Sequence, residues 1–564
     1  MERATRERLV LGAAVLLLGA LAYANSLQGA FVFDDVQQVQ DNPALRDLGA
    51  FLVGAPGHRA PLNRFVPYLT FALNYRVGGL SVTGFHVANL AIHLANALLV
   101  FALVLAAFRT PRLAGSALAG RAAVVAFAAA APFATHPLGT QAVSYIVQRI
   151  TSLATFFYLA TILLYLSARL STAGGWRRGA RYGLALATCV LAMRTKEIAF
   201  TLPLALLLFE WGLFGRPSAR RWLGLVPFGA TAALIPLSIV RVAQPIGHLL
   251  AEASAATRVQ ATVSRLEYLR TQVAVLAAYL RLLAWPTGQN IDHDFPIVPS
   301  FTAPRFLLGL LVHLALLALA VWAWRRSSPR SLRPADPAWR LVSIGILLFF
   351  LANAVESSLI PIVDVMFEHR VYLPSVGVFL AAATAGSLLA ERLAPVRFGA
   401  WMVGITTILS LILAGATLAR NRVWRSDLAL WSDAVTRSPG KARPWFNLGT
   451  ALAEAERYRE AVEPMRRATR LDPGWAKAHT QLGGLLILDG APAAAVPELE
   501  EALRLQPGEP ATLFNLGEAL WRSGQRREAA ARFQQYVDLP PAKSDPQLRR
   551  AAAARVRAVA AQAD

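Results

Sequence analysis

The sequence predicts an all-α chain, with a polytopic membrane domain of about eleven transmembrane helices followed by an extracytoplasmic α-solenoid. Of 564 residues, 55% are hydrophobic and 16% are charged, which is more apolar than a soluble domain. The long apolar runs lie before residue 418, and the polar remainder repeats every 34 residues. We therefore predict a membrane domain at 1–418, a connecting half-repeat at 419–441, three repeats at 442–543, and a capping helix with tail at 544–564.

The apolar runs place the transmembrane helices. Spanning a bilayer takes about 20 apolar residues, and the runs with this length are 9–27, 86–108, 121–137, 142–168, 180–196, 198–215, 222–241, 303–324, 339–360, 370–390 and 398–418. The first run follows three arginines and could be a signal peptide, but the further runs favour a retained span.

Charge in the loops predicts the orientation. The net charge is +22, and only four of the cations are lysines. Arginines with few acids occupy alternate loops, namely the N-terminus, 109–121, 169–181, 215–221, 325–340 and 391–397. By the positive-inside rule these loops are cytoplasmic, so the N-terminus lies inside and the repeats outside. The excess charge therefore indicates membrane orientation rather than nucleic-acid binding, and the arginine bias suggests the inner membrane of a bacterium.

Two features of the membrane part need separate interpretation. The segment 268–285 is apolar enough to span but contains Arg270 and Arg281. Counting it as a span would break the alternation, so we interpret it as an interfacial or re-entrant helix. The one cysteine, Cys189, excludes an internal disulfide and a cysteine-cluster metal site.

The C-terminal repeat has the spacing of the tetratricopeptide repeat (TPR). Prolines 473, 507 and 541, alanines 461, 495 and 529, and three Leu-Gly pairs each recur every 34 residues. Stacked repeats form a groove that binds peptides or proteins. At equivalent positions of the first helices we predict acceptor-binding side chains at Asn447, Gln481 and Asn515. Alternatively, the array only packs on the membrane domain or mediates self-association.

Polar residues on the predicted outer side are candidates for chemistry, since polar groups at membrane depth are costly. Asp34 and Asp35 directly follow the first span and could supply a general base, a metal ligand or a helix cap. Adjacent side chains of an extended segment point to opposite faces. We therefore expect one carboxylate to act as the base, with Asp35 slightly favoured over Asp34.

A polar stripe follows on the second span. His86, Asn89, His93 and Asn96 share one helix face, and we expect them to form helix–helix hydrogen bonds. A metal site on the two histidines is the alternative, although no third ligand is evident.

Further outer-side residues are His136, Arg149, Lys196, Glu197, Glu368, His369, Arg370 and Tyr372. Arg149, Lys196 and Arg370 lie near span ends, where a lipid-linked phosphate would lie. Ion pairs within the protein, such as Lys196 with Glu197 or Glu368 with Arg370, are the alternative interpretation of these charges.

The order of these motifs resembles a known family. FDD, GFH-x-x-N-x-x-x-H, THP-x-x-x-x-AVSYIVQR, KE, ESS-x-IPI-x-D and EHR-x-YLPS, followed by the repeats, are similar to the TMTC-type proteins and their bacterial relatives. These are transmembrane, TPR-containing glycosyltransferases of the GT-C fold, related in plan to the protein O-mannosyltransferases. The resemblance covers essentially the whole chain, but the TPR array is shorter than in the eukaryotic members, which puts the range of acceptors in question.

The resemblance implies an eleven-span GT-C fold, a polyprenyl-phosphate-linked sugar (mannose in the best-known members) as donor, and Ser/Thr of exported proteins as acceptor. The family's acidic pair corresponds to Asp34 and Asp35. Arg149, Lys196, Arg370 and His369 are then the candidate donor-phosphate ligands, with His86, His136, Glu197, Glu368 and Tyr372 as supporting residues.

The chemistry this implies is an inverting displacement. A hydroxyl is a poor nucleophile, so a carboxylate must take its proton as the hydroxyl attacks the anomeric carbon. The departing lipid phosphate gains charge, which arginine or lysine can hold. A divalent metal could assist, but the sequence does not require one. Two alternatives are a non-catalytic membrane-anchored TPR scaffold for envelope assembly and a GT-C transferase acting on a glycan or a lipid-linked oligosaccharide.

Overall fold

The computed structural model describes residues 2–172, 174–216, 218–239, 263–328, 335–357 and 361–561. All regular secondary structure in these residues is helical. The chain divides into two compact units, the first comprising 1–291 and 295–426 and the second comprising 292–294 and 427–564. The predicted span ends 240–241 and 358–360, as well as Arg330, Arg333 and Ser358, lie outside the described residues.

The first unit contains sixteen α-helices in its described residues. They are α1 (Glu2–Ala22), α2 (Leu48–Val53), α3 (Phe65–Gly78), α4 (Val82–Phe108), α5 (Ala122–Thr135), α6 (Thr140–Val143), α7 (Arg149–Arg169), α8 (Gly175–Met193), α9 (Leu202–Phe214), α10 (Ala219–Thr231), α11 (Leu234–Ile239), α12 (Arg265–Ala284), α13 (Pro304–Arg326), α14 (Trp339–Asn353), α15 (Tyr372–Leu393) and α16 (Phe398–Asn421).

Seven helices of the described residues are long and apolar enough to cross a membrane. They are Glu2–Gln28, Val82–Phe108, Ile146–Arg169, Glu197–Phe214, Pro304–Arg326, Glu368–Leu393 and Pro395–Arg425. Ala119–Thr135 and Pro137–Val143 form an eighth candidate, bent by 53°. The chain is thus a multi-pass membrane protein, and these eight correspond to eight of the eleven predicted spans.

The other three predicted spans are helical but are not among the helices that are long and apolar enough to cross a membrane. Helix α8 carries three arginines in its first half, helices α10 and α11 are separate pieces, and α14 is a shorter apolar helix of 15 residues. Helix α12, which covers the predicted interfacial segment, begins with a capping box between Ser264 and Glu267. It is not among the helices that are long and apolar enough to cross a membrane, and its interfacial position stays a prediction.

The core of the first unit surrounds α5. Every residue of this helix is buried, and eight of its fourteen residues are alanine. It packs against α1, α4, α15 and α16. Small side chains allow backbones to approach closely in a membrane bundle, so the alanine content of α5 explains how four helices can surround it.

Helices α14 and α15 cross at two glycines. A Cβ atom on Gly345 would lie 2.4 Å from the Gly377 carbonyl oxygen, and one on Gly377 would lie 2.4 Å from that of Gly345. Backbone therefore meets backbone at this crossing. Since α15 directly follows Glu368–Val371, the crossing positions a segment that carries several predicted site residues.

The second unit is a stack of helix pairs. Its helices are α17 (Asp427–Arg437), α18 (Ala442–Glu454), α19 (Tyr458–Leu471), α20 (Ala476–Leu488), α21 (Pro492–Leu505), α22 (Pro510–Arg522), α23 (Arg526–Val537) and α24 (Pro546–Ala560). Each 34-residue repeat supplies two of the helices α18–α23, which pack on one another. Asp292 is buried in this unit, where it pairs with Lys441 and accepts two hydrogen bonds from the Arg443 guanidinium.

Candidate active site

The acidic pair lies in a short turn after the first span. Phe33 has a left-handed backbone (φ 52°), which is uncommon for a residue other than glycine, and its ring stacks on Tyr145. Asp34 is partly exposed, and its backbone N–H donates to the Tyr145 hydroxyl at 3.2 Å. Tyr145 also hydrogen-bonds the Asp34 side chain, and burial with the neighbouring carboxylates raises the pKa of Tyr145 well above its ordinary value. The phenol therefore stays protonated and donates to Asp34.

Asp35 is fully buried, and its carboxylate binds backbone N–H groups. Its carboxylate accepts N–H bonds from Val147 at 2.7 Å, Val32 at 3.2 Å and Ile146 at 3.3 Å. Burial raises the pKa of Asp35 well above its ordinary value, although the three N–H bonds act in the opposite direction. With no exposed surface and three structural bonds, this carboxylate fixes the loop before α7 against the turn after α1.

Three residues of the polar stripe on α4, Asn89, His93 and Asn96, form the helix–helix hydrogen bonds that their spacing predicted. Asn89 donates to the carbonyls of Val143 and Ile146, and Asn96 donates to the Ser152 carbonyl at 2.8 Å. His93 bonds the Tyr372 hydroxyl at 2.6 Å and the Ala134 carbonyl at 3.0 Å. The stripe thus joins α4 to α5, α7 and α15.

His86, at the outer end of the same stripe, is buried. Its ring lies against Gly29, where a Cβ atom would come within 2.6 Å of His86 Nε2. No group of three or more His, Cys, Asp or Glu that could hold a metal ion occurs in the part of the chain that the structure describes.

Arg149 is buried, and its guanidinium is enclosed by acceptors of the protein. Its Nε donates to Asn89 Oδ1 at 2.6 Å, its Nη2 donates to the Phe85 carbonyl at 3.0 Å, and its Nη1 donates to Asn74 Oδ1 and to Thr70. The group also lies over the Phe71 ring at 4.6 Å. Arg149 therefore ties α3, α4 and α7 together.

Lys196 and Glu197 have separate partners rather than pairing with each other. Lys196 Nζ lies 2.8 Å from a Glu356 oxygen and donates to Thr151 at 3.1 Å. Glu197 accepts from Asn63 at 2.6 Å and lies 3.6 Å from the Arg64 Nε. Arg64 is the more exposed partner, with 42% of its side chain accessible.

The EHR segment before α15 is buried throughout. Glu368 accepts from the Asn290 backbone N–H at 2.6 Å and from the Gln289 side chain. The His369 N–H donates to Gln141 Oε1 at 2.6 Å. Arg370 lies over the Phe367 ring at 5.5 Å, donates a long hydrogen bond of 3.4 Å to the Val365 carbonyl, and also hydrogen-bonds the Tyr268 side chain.

His136 and Tyr372 lie farther into the helix bundle. His136 Nδ1 accepts the Leu138 N–H, and its Nε2 lies 3.1 Å from the Leu283 carbonyl oxygen. Tyr372 accepts from Asn96 and pairs with His93. Both residues are buried and bonded to protein groups, which favours a positioning role for each.

Electrostatic interactions link several of these residues. Tyr68 lies within electrostatic range of both Asp34 and Arg64. Arg64, Lys196 and Arg370 in turn all lie within electrostatic range of His369. Asp34 is thus linked to the three cations through Tyr68 and His369, whereas His136 and the His93–Tyr372 pair lie within the bundle.

Sequence reasoning missed the roles of Tyr145, Arg64 and Gln141. Tyr145 belongs to the AVSYIVQR motif and Arg64 to the first outer loop, but neither has a spacing that signals its contacts. Their partners are 111, 133 and 228 residues away along the chain, counting Tyr145 to Asp34, Arg64 to Glu197 and Gln141 to His369. Such contacts are visible only once the fold is known.

The three predicted acceptor-binding residues lie on the first helices of their repeats. Asn447 is on α18, Gln481 on α20 and Asn515 on α22. Gln481 is exposed, and the other two are half-buried. The Nδ2 atom of Asn447 is buried and has no hydrogen-bond partner among the described residues.

Comparison with known proteins confirms the resemblance seen in the motifs. Family profiles of the tetratricopeptide repeat match residues 428–476, 446–510 and 486–555. The chain is 26% identical over 512 residues to the protein O-mannosyl-transferase Tmtc3 of Drosophila melanogaster, an alignment covering 80% of this chain and 54% of that protein. It is 28% identical over 523 residues to human protein O-mannosyl-transferase TMTC1, covering 82% of this chain and 55% of that protein.

The chain is therefore a relative of the TMTC-type proteins and spans little more than half the length of these two. Among solved structures, ArnT from Cupriavidus metallidurans bound to undecaprenyl phosphate aligns with a TM-score of 0.39 and 16% identity, over 94% of this chain and 81% of that one.

Proposed function

We propose that this protein is a GT-C glycosyltransferase that moves a sugar, mannose by analogy with its relatives, from a polyprenyl-phosphate donor to Ser/Thr of exported proteins. The observation that carries the proposal is a partly exposed carboxylate, Asp34, which hydrogen-bonds Tyr145 and, like the cation Arg64, lies within electrostatic range of Tyr68. The names of the relatives, which are protein O-mannosyl-transferases, support the same reaction. The N-terminus and arginine-rich loops would face the cytoplasm of a bacterial inner membrane, and the site and repeats its outer side.

Asp34 is the better candidate for the base, although the sequence slightly favoured Asp35. Asp35 is enclosed and bonded to three backbone N–H groups, so an acceptor hydroxyl cannot reach it in this conformation. Asp34 is partly exposed, and the Tyr145 hydroxyl lies beside it as a hydrogen-bond donor. Asp34 would take the hydroxyl proton in a single displacement that inverts the anomeric carbon.

Arg370, Lys196 and Arg64 are the cations that we assign to the departing lipid phosphate. Arg370 is held by Tyr268 and the Val365 carbonyl, Arg64 is partly exposed, and Lys196 is positioned by Glu356. His369 lies within electrostatic range of all three cations and would complete the phosphate-binding group. Arg149, whose nitrogens have acceptors within the protein, would act by positioning α7 instead. Charge-assisted hydrogen bonds to the phosphate would stabilise the leaving group as it gains charge.

The activity is tested directly by transfer in membranes. Radiolabelled polyprenyl-phosphate mannose is incubated with membranes that contain or lack the protein, together with a periplasmic protein fraction. We expect label in Ser/Thr-linked form, released by β-elimination, only when the protein is present. Equal labelling in both membranes would contradict the proposed activity. Label in glycan or lipid-linked oligosaccharide instead would reassign the acceptor.

Substitution of Arg149 should affect stability, whereas substitution of Arg64 should affect the KM for the lipid donor. We expect Arg149→Lys to lower the free energy of unfolding by about 1–3 kcal/mol, because it leaves buried acceptors unpaired, with little change in the apparent KM for the lipid donor. Arg64→Gln should raise that KM several-fold without loss of stability. Thermal unfolding in detergent and donor titration measure the two effects. A large KM change for Arg149→Lys in stable protein would return Arg149 to the phosphate site.

The repeats would bind the acceptor protein. Asparagine and glutamine can hydrogen-bond an extended peptide backbone, and the exposed Gln481 is accessible to such a peptide. For Asn447→Ala/Gln481→Ala/Asn515→Ala we expect the KM for a folded protein acceptor to rise about tenfold, with kcat and transfer to a short Ser/Thr peptide unchanged. A triple variant with the same acceptor KM as the native protein would exclude this role.

A further inference from the structure

A second cluster of cations lies in the first unit, apart from the residues of the proposed active site. Arg112, Arg216, Arg325 and Arg340 line a pocket of about 430 Å³ together with Trp211 and Trp324. We call it the arginine pocket. Its arginines come from loops 109–121, 215–221 and 325–340, all predicted to be cytoplasmic.

Among the described residues, no acidic side chain forms an ion pair with the arginines of this pocket. Some other arginines of the predicted cytoplasmic side pair with carboxylates, namely Arg121 with Glu391 and both Arg169 and Arg221 with Glu210. In the part of the chain that the structure describes, none of the four pocket arginines forms such an ion pair. Placing four cations around one cavity without anions is costly, and an anionic ligand would offset that cost.

Arg340 is a buried part of the pocket, which distinguishes the pocket from a cluster of exposed surface arginines. Only 6% of the surface of Arg340 is accessible to solvent, and its guanidinium lies 4.0 Å from the Trp324 ring centroid. It occupies the first turn of α14, where the helix dipole already favours negative charge nearby. A buried guanidinium at this position has five donors and lacks a carboxylate partner.

The rest of the pocket also has defined geometry. Gly215 has a left-handed backbone (φ 93°), and a Cβ atom there would lie 3.1 Å from an Arg112 nitrogen, so glycine leaves room for that guanidinium. Trp211 and Trp324 pack edge to face at 5.5 Å, at the ends of two candidate spans. Tryptophan beside arginine at a span end is typical of the headgroup level of a bilayer.

We propose that the arginine pocket binds the phosphate of an anionic membrane phospholipid from the cytoplasmic leaflet. Guanidinium groups bind phosphate through paired hydrogen bonds, and basic pockets between transmembrane helices hold such headgroups. The acyl chains would lie along the apolar surface of α13, where Leu311, Leu314 and Val321 are exposed. The site is independent of the proposed glycosyl transfer and needs no sugar donor.

The test compares phospholipid binding by the full-length protein and two double variants. Arg216→Gln/Arg325→Gln removes two exposed pocket cations, and Arg177→Gln/Arg397→Gln removes two exposed arginines of other predicted cytoplasmic loops. Titration of detergent-purified protein with short-chain phosphatidylglycerol, followed by native mass spectrometry, gives the dissociation constant. We expect the dissociation constant to increase roughly tenfold or more in the pocket variant and less than twofold in the control.

Two further measurements complete the test. Short-chain phosphatidylcholine should bind the native protein at least tenfold more weakly than phosphatidylglycerol, and inorganic phosphate should not compete at millimolar concentration. Equal phosphatidylglycerol affinity in both double variants would overturn the proposal. Competition by inorganic phosphate at low concentration would overturn the lipid as ligand and indicate a free phosphate site. Thermal unfolding of each variant without lipid establishes that the compared proteins are equally folded.

Discussion

Asp34→Asn is expected to lower the rate of sugar transfer by about 10²–10⁴-fold, while the protein inserts and folds normally. Asparagine matches the carboxylate in size but cannot take the proton of the attacking hydroxyl. The Phe33–Tyr145 stack and the Asp34 backbone N–H bond remain available to hold the turn. The measurement is the transfer rate from radiolabelled polyprenyl-phosphate mannose at matched membrane abundance.

Asp35→Asn is the matched comparison, one residue away. An amide keeps one acceptor oxygen, so part of the set of bonds to Val32, Ile146 and Val147 is lost. We expect lower thermal stability and, in the fraction that is folded, transfer reduced less than in Asp34→Asn. If Asp34→Asn transfers at the native rate and Asp35→Asn is stable but inactive, the base is Asp35 and the loop must open for the acceptor to reach it.

Gly345→Ala should have the largest effect on folding. Its methyl group would lie 2.4 Å from the Gly377 carbonyl oxygen and 2.8 Å from the Ala381 nitrogen, and these backbone atoms can move only if α14 and α15 separate. Overpacking of this kind costs about 1–3 kcal/mol or more. Separation would also displace the EHR segment at the start of α15, so transfer should fall in the protein that still folds.

The partner helix of this crossing, α15, offers a control. A Cβ atom on Gly386 of α15 would meet nothing within 4 Å, so Gly386→Ala should leave the unfolding temperature unchanged or raise it slightly. Thermal unfolding in one detergent compares the two variants. Equal unfolding temperatures for Gly345→Ala and Gly386→Ala would show that the crossing is looser than described.

Patterns along one helix predicted the structure well. Hydrophobic length located the eight candidate spans, the 34-residue period located the helix pairs of the second unit, and the spacing of Asn89, His93 and Asn96 predicted their hydrogen bonds. These features depend on the local period of the helix, which the sequence contains directly.

The different roles of the site residues could not be predicted in the same way. Adjacent acids look equivalent in sequence, yet burial and the Val147 N–H bond separate Asp35 from Asp34. Likewise, Arg149 and Arg370 both follow motifs at span ends, but Asn89 and Phe85 engage the first. Distinguishing them requires knowing which distant backbone and amide groups come to each charge, and that depends on tertiary packing.

The left-handed backbone of Phe33 has a consequence for the barrier of the proposed reaction. A residue other than glycine in this region costs on the order of 1–3 kcal/mol, and burial of Asp35 adds to the cost of forming the turn. Both costs are met once, when the chain folds, and neither recurs at each turnover. The turn would then need little reorganisation as charge shifts in the proposed transfer, so a looser turn would give a more stable protein and a slower reaction.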